Sequence, residues 1–267
     1  MPLVAETPFQ LIAAALDAAA AEAGAIAMRW FRSGEKTTAR TDFKNGGSPV
    51  TEADLAVDWF LAERLQALFP DAGWLSEETA DTEARLSAES VFVIDPIDGT
   101  RGFAAGDPRW SVSIALVRGG RPVAGVVIAP ALGERFVAAL GHGARRNGVP
   151  LDLSSAGPLA GGRIAGPQPL AKKAETLGMT HVPKIPSLAL RFAHVAGGEI
   201  EAAVSSTNSH DWDIAAADLI LHEAGGMLTG LDGRAPVYNR RDLKHGPLAA
   251  ASAARHAELL AAVARGH

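Results

Sequence analysis

A layered α+β fold is what this sequence predicts, and three stretches of pattern carry the prediction. Helical apolar spacing runs from Phe9 to Phe31, a strand-rich middle from Val91 to Ala139, and the remainder alternates short strand-like and helix-like runs. Elements mixed this way hide their apolar faces by stacking sheets against helices.

The first helix follows from Leu11, Ala15, Leu16, Ala19, Ala23, Ile26 and Trp30 falling near one face, with Gly34 as its stop. Lys36 to Ser48 is polar and reads as an exposed hairpin or mobile loop. Thr51 suits the N-cap of a second helix, and Asp54 three residues on makes an acidic capping box. That helix runs to about Phe69, where Pro70 stops it. Gly73 to Ser76 suggests a strand ending near Glu77. Val91 to Ile94 is a buried strand that ends before Asp95. Ser111 to Leu116, Pro122 to Ile128 and Glu134 to Ala139 are further strands, with a turn at Gly119-Gly120.

Gly141 to Pro150 is turn-rich and divides the chain into halves, 1–150 and 151–267. Beyond it, Gly162 to Ala165, Ile200 to Ser205 and Met227 to Thr229 read as strands. Leu170 to Leu177, Leu188 to Ala196, Asp213 to Ala224 and Ala253 to Ala264 read as helices.

With 267 residues, 48 % hydrophobic and 21 % charged, the chain can bury a substantial core. Its net charge of −5 and the lack of a basic stripe argue against binding a nucleic-acid polymer. It has no cysteine, so any metal must be held by oxygen or imidazole, and a cytoplasmic location is the expectation. Met1 to Gly24 is Ala-rich, yet acids interrupt it and no basic segment precedes it; it reads as neither a signal peptide nor a membrane span.

The chemistry centres on Asp95-Pro96-Ile97-Asp98-Gly99-Thr100. A strand end turning here can aim two carboxylates into one cavity, the oxygen environment a hard cation such as Mg²⁺ prefers. The amides of Gly99 and Thr100 could then meet a phosphate. The same residues also suit a turn and a helix cap. Asp54, Glu77 and Asp213 add acids at the edges of other elements, each next to an apolar stretch.

The segment from Asp95 to Thr100 resembles the first signature of the inositol monophosphatase family. Trp212-Asp213-Ile214-Ala215-Ala216-Ala217 followed by Glu223-Ala224-Gly225-Gly226 resembles the second, and the segments Ser48 to Asp54 and Ser76 to Glu78 resemble two more. The resemblance implies an αβαβα sandwich of the inositol monophosphatase / sugar phosphatase type and a Mg²⁺-dependent, Li⁺-inhibited phosphomonoesterase, commonly a homodimer. By that resemblance Glu77, Asp95 and the Ile97 carbonyl hold one metal, and Asp95, Asp98 and Asp213 a second. Glu77 also serves a weaker third ion. Thr100 with Asp54 orients and deprotonates the attacking water, and the amides of Gly99 and Thr100 bind phosphate. Lys44 matches a lysine near the metals or is a solvated loop residue.

For the substrate, Arg101-Gly102-Phe103 and Ser206 depart from the inositol phosphatase pattern, which has Thr-Asn-Phe and a glutamate at those places. Leu190-Arg191-Phe192 is similar to the Leu-Lys-Phe of 3′(2′),5′-bisphosphate nucleotidases. Arg191 either grips a second phosphate or forms a helix-surface ion pair. Pro186-Ser187-Leu188 departs from the Gly-Ser pattern of those enzymes. His210 is the histidine best placed for substrate contact. The reading leans to a bisphosphate nucleotidase, with inositol-1-monophosphatase, histidinol-phosphate phosphatase and a non-catalytic regulatory member as alternatives.

Overall fold

A computed structural model describes residues 7–44 and 47–264. Residues 1–6 of the N-terminal stretch and 45–46 of the Lys36–Ser48 stretch lie outside the described residues. The elements are α1 (Phe9–Ala27), β1 (Thr41–Phe43), β2 (Pro49–Thr51), α2 (Glu52–Leu68), β3 (Gly73–Ser76), β4 (Ser90–Asp98), α3 (Thr100–Ala105), β5 (Ser111–Arg118), β6 (Arg121–Ala129), β7 (Glu134–Ala139), β8 (Ala144–Arg146) and β9 (Val149–Pro150). There follow β10 (Arg163–Ala165), α4 (Gln168–Ala171), β11 (Thr180–His181), α5 (Leu188–Ala196), β12 (Ala202–Ser205), β13 (Ser209–His210), α6 (Asp211–Glu223), β14 (Gly226–Gly230), β15 (Lys244–His245), β16 (Leu248–Ser252) and α7 (Ala253–Val263).

Two sheets carry the architecture. One is seven-stranded in the order β3-β4-β5-β6-β7-β8-β9; the other is five-stranded in the order β11-β10-β12-β16-β14. Strand alternation assigns each face its layer. On β4, Phe92 and Ile94 join the α1/α2 core, whereas Val91 and Val93 turn to the α5/α6 layer. On β16, Leu248 and Ala250 face α5/α6, and Ala249 and Ala251 face α7 and the 170s segment. The result is the five-layer αβαβα sandwich.

By length and hydropathy alone α1 is able to cross a membrane. Here Ile12, Leu16, Ala19, Ala20 and Ala23 are buried against β6 and α2. α1 ends at Ala27 rather than near Gly34. Its last turn tightens as Trp30 N–H bonds to Ala27 O, and the Thr37 and Thr38 hydroxyls draw the Trp30 carbonyl out of the helix. The polar stretch after it does form a hairpin, β1 pairing antiparallel with β2. Gly141 to Pro150 is not simply a turn region, because β8 and β9 extend the first sheet through it.

Candidate metal centre

β4 does not stop before Asp95 but continues to Asp98. In a regular strand, residues three apart point to opposite faces. Here Asp95 pairs with Ser113 and Asp98 with Ser111, so β4 holds one residue more than its partner, a β-bulge. The bulge restores Asp98 to the face of Asp95, toward α5 and α6. Pro96, which has no N–H for a ladder, sits within that irregular step.

α6 supplies Asp213 from its first turn. One carboxylate oxygen from each of Asp95, Asp98 and Asp213 lies within 4.8 Å of the others. Asp95 is fully buried, and its Oδ1 has no hydrogen-bond partner. Burial, then the negative charges of Glu77, Asp98 and Asp213, push its pKa well above the carboxylate range. Asp213 is raised likewise, by burial and then Asp98. Burial lifts Asp98 to about 6. The opposing pull comes from the N-terminus of α5: Asp98 Oδ2 accepts from Ser187 Oγ at 2.7 Å and Ala189 N at 2.6 Å. Three carboxylates this close, two of them buried and one of those with an orphaned oxygen, repel one another. An all-oxygen donor set of this kind fits a hard divalent cation.

Glu77 follows β3 and lines the same cavity of about 360 Å³ as Asp95, Asp98, Thr100 and Asp213. Lys44 Nζ bonds to Glu77 Oε1 at 2.9 Å and Glu78 Oε1 at 2.8 Å, so it is a paired residue at the cavity edge rather than a solvated loop lysine. Burial raises the Glu78 pKa to about 7 against the pull of Lys44. Thr100 Oγ1 is 3.0 Å from both Asp54 Oδ1 and the Ile97 carbonyl. Asp54 completes the capping box of α2: its Oδ2 accepts from Thr51 N at 2.8 Å, and burial lifts its pKa to about 6. Gly99 opens α3 at φ +91°, and a Cβ there would lie 2.9 Å from Ser187 N, so only glycine fits.

A second cavity, of about 420 Å³, shares Asp98, Lys184, Pro186 and Asp213 with the first and is lined further by Arg191, Ser205 and Ser206. Arg191 is not a helix-surface ion pair. It is 5 % exposed, and its fork is spent on two carbonyls, Nη1 on Val204 O at 3.1 Å and Nη2 on Ile185 O at 2.8 Å. Two of its five N–H groups are thus committed within the fold, and among the described residues Nε has no partner. His210 lines neither cavity. Its backbone N–H caps Asp213 Oδ2 at 2.6 Å, and its ring stacks on Trp212 with centroids 4.7 Å apart.

The sequence reading missed three neighbours. Lys184 sits in an irregular segment with no pattern to mark it. Ser187 caps α5 and could have been found as a serine just ahead of a helical run. Asp58, one turn after Asp54, accepts from Ser76 Oγ at 2.5 Å and Thr79 Oγ1 at 2.7 Å and so tethers the segment carrying Glu77.

Sandwich and acid cluster together define the class, a metal-dependent phosphatase. The inositol monophosphatase family model matches residues 9–267, and the chain belongs to that family of phosphoric monoester hydrolases. It is 35 % identical to the 3′(2′),5′-bisphosphate nucleotidase CysQ of Aggregatibacter actinomycetemcomitans, over 74 % of this chain and 78 % of that one. It is 36 % identical to the histidinol-phosphatase of Mycobacterium tuberculosis, over 73 % of this chain and 78 % of the relative. The crystal structure of extragenic suppressor protein SuhB from Bartonella henselae superposes with a TM-score of 0.84 at 27 % identity, covering 96 % of this chain and all of that one.

Proposed function

We propose that this protein is a cytoplasmic, Mg²⁺-dependent phosphomonoesterase acting on a small phosphorylated metabolite, with 3′(2′),5′-bisphosphate nucleotides as the favoured substrate class. The observation that carries the reading is the Asp95–Asp98–Asp213 cluster, its first two acids buried, with the orphaned Asp95 oxygen. In this reading Glu77, Asp95 and the Ile97 carbonyl hold one Mg²⁺, and Asp95, Asp98 and Asp213 a second. Bound Mg²⁺ supplies positive charge against the phosphoryl oxygens and lowers the pKa of water. The chain's own residues do the rest. Thr100 Oγ1 orients the attacking water and relays its proton to Asp54, whose pKa of about 6 suits an acceptor near neutrality. The amides of Gly99 and Thr100 receive the phosphate. Water attacks phosphorus directly as the ester oxygen leaves, with positioning and charge stabilisation as the main work.

The likeness to CysQ and a second cavity rich in hydroxyls and cations support the substrate class. The test is phosphate release from adenosine 3′,5′-bisphosphate, inositol 1-phosphate and histidinol phosphate, each with Mg²⁺ and with EDTA. Mg²⁺-dependent turnover, highest on the bisphosphate, is the expected result. Turnover highest on another ester reassigns the substrate, and none on a broad panel favours a regulatory member of the family.

A further inference from the structure

Among the described residues, three that line one cavity, Arg191, Ser205 and Ser209, each carry a buried polar atom without a hydrogen-bond partner: Nε, Oγ and Oγ. A buried polar group left unpaired is costly, so three around one space point to a ligand that satisfies them. The cavity adjoins the acid cluster through Asp98 and Asp213. It therefore lies where the part of a substrate beyond the transferred phosphate must sit. Apart from those two acids its lining has no carboxylate. It offers the Lys184 ammonium, the Arg191 Nε–H and the hydroxyls of Ser205, Ser206 and Ser209. Lys184 is exposed, and among the described residues it pairs with no carboxylate.

We propose that Lys184 is the specificity-determining cation of this enzyme, reading a second anionic group on the leaving portion of the substrate while the serine hydroxyls and Arg191 Nε–H complete its hydrogen bonds. The proposal rests on the phosphatase reading and deepens it. Arg191 is buried and held by Ile185 O and Val204 O, whereas Lys184 is exposed with its ammonium uncommitted to any carboxylate among the described residues, so Lys184 is the cation able to follow a ligand. A neutral polyol would leave the ammonium unused, and a leaving group bearing its own ammonium would be repelled by Lys184. A second phosphate matches both the cation and the donors.

Kinetics on two probes that differ only in the second anion test the idea: kcat/KM with Mg²⁺ for adenosine 3′,5′-bisphosphate and for adenosine 3′-monophosphate. Wild type is expected to favour the bisphosphate by about tenfold or more, the usual strength of a charged hydrogen bond. Lys184→Gln is expected to reduce that ratio about tenfold, and Lys184→Arg to restore most of it. A ratio unchanged in Lys184→Gln, as would follow if Lys184 held the transferred phosphate, overturns the proposal. So does wild-type turnover of both esters without preference, and both results leave the phosphatase reading standing. No turnover of either ester, nor of any other, removes that reading, and the role of Lys184 with it.

Discussion

Asp95 sets two quantities in opposition. In the metal-free protein its buried carboxylate faces Glu77, Asp98 and Asp213 with no cation beside it. Asp95→Asn relieves that repulsion while removing a proposed ligand. Turnover is expected to fall more than a hundredfold, beyond the effect of losing an outer-shell partner, roughly 10–100-fold. The melting temperature in EDTA is expected to rise by about 2–4 °C, equivalent to roughly 1 kcal/mol in a chain of this size. Assay and thermal melt on one preparation check both signs. Asp218, away from the cluster, isolates a pH effect. Burial lifts its pKa to about 6 from 3.8, against the pull of the Tyr238 hydroxyl that donates to it at 2.8 Å. The folded state thus takes the proton more readily than the unfolded one. The stability Asp218 contributes is full below about pH 3.8 and is lost as pH rises through about 6. Asp218→Asn, which keeps an acceptor for Tyr238, is expected to gain up to about 3 kcal/mol over wild type at pH 8 and almost nothing near pH 4. Denaturant melts at the two pH values measure the difference.

Among the elements, α2 links two parts of the site. Asp54 reaches Thr100 from its first turn, and Asp58 holds Ser76 and Thr79 from the next. Asp58→Ala is expected to raise the half-saturating Mg²⁺ concentration about tenfold, the usual effect of losing a partner that holds a ligand in place, because Glu77 loses its tether. The folded state should lose about 1–3 kcal/mol from the two stranded hydroxyls. A Mg²⁺ titration of activity beside a denaturant melt separates the two effects. Most of the elements were legible in the sequence. The caps of α2 and the run from Leu188 to Ala196 are local features, and local features are written in adjacent residues. β16 was not legible: Leu-Ala-Ala-Ala-Ser has strong helix formers and no alternation to read, yet it lies between β12 and β14. Its strand state comes from two neighbours that approach within the fold. The path of β4 through Asp95 was hidden for a related reason, since Asp-Pro is a turn signal until a bulge accommodates it. In the site, the acids were legible as a set of motifs. Lys184 and the buried setting of Arg191 were not, because both depend on which loop folds over which cavity.

At the scale of the whole molecule, the proposed metal binding would be coupled to folding. The acid cluster draws Asp95 and Asp98 from the first sheet and Asp213 from the helical layer behind it, so an ion held there would join two layers. The raised pKa values of Asp54 and Asp98, both about 6, mean that the metal-free fold is favoured by protonation and loses that stability as pH rises through 6. Mg²⁺ held by Asp98 would compete with its proton. The gain in melting temperature on adding Mg²⁺ is therefore expected to be small at pH 5 and several degrees at pH 8. Scanning fluorimetry with Mg²⁺ and with EDTA across that range checks the slope. A Mg²⁺ effect equal at both pH values would separate the ion from these carboxylates.

The bulge in β4 also fixes what a shorter chain would become. Removal of Ile97 alone would let the strand run in regular register beside β5. Strand alternation would then hold Asp98, now two residues after Asp95, on the same face and opposite Ser111 as before. What the deletion removes is the Ile97 carbonyl, which accepts from Thr100 Oγ1 at 3.0 Å. The extra residue of the bulge thus serves not to align the two acids, which a regular strand would also do, but to bring a backbone carbonyl to the hydroxyl of Thr100 beside them.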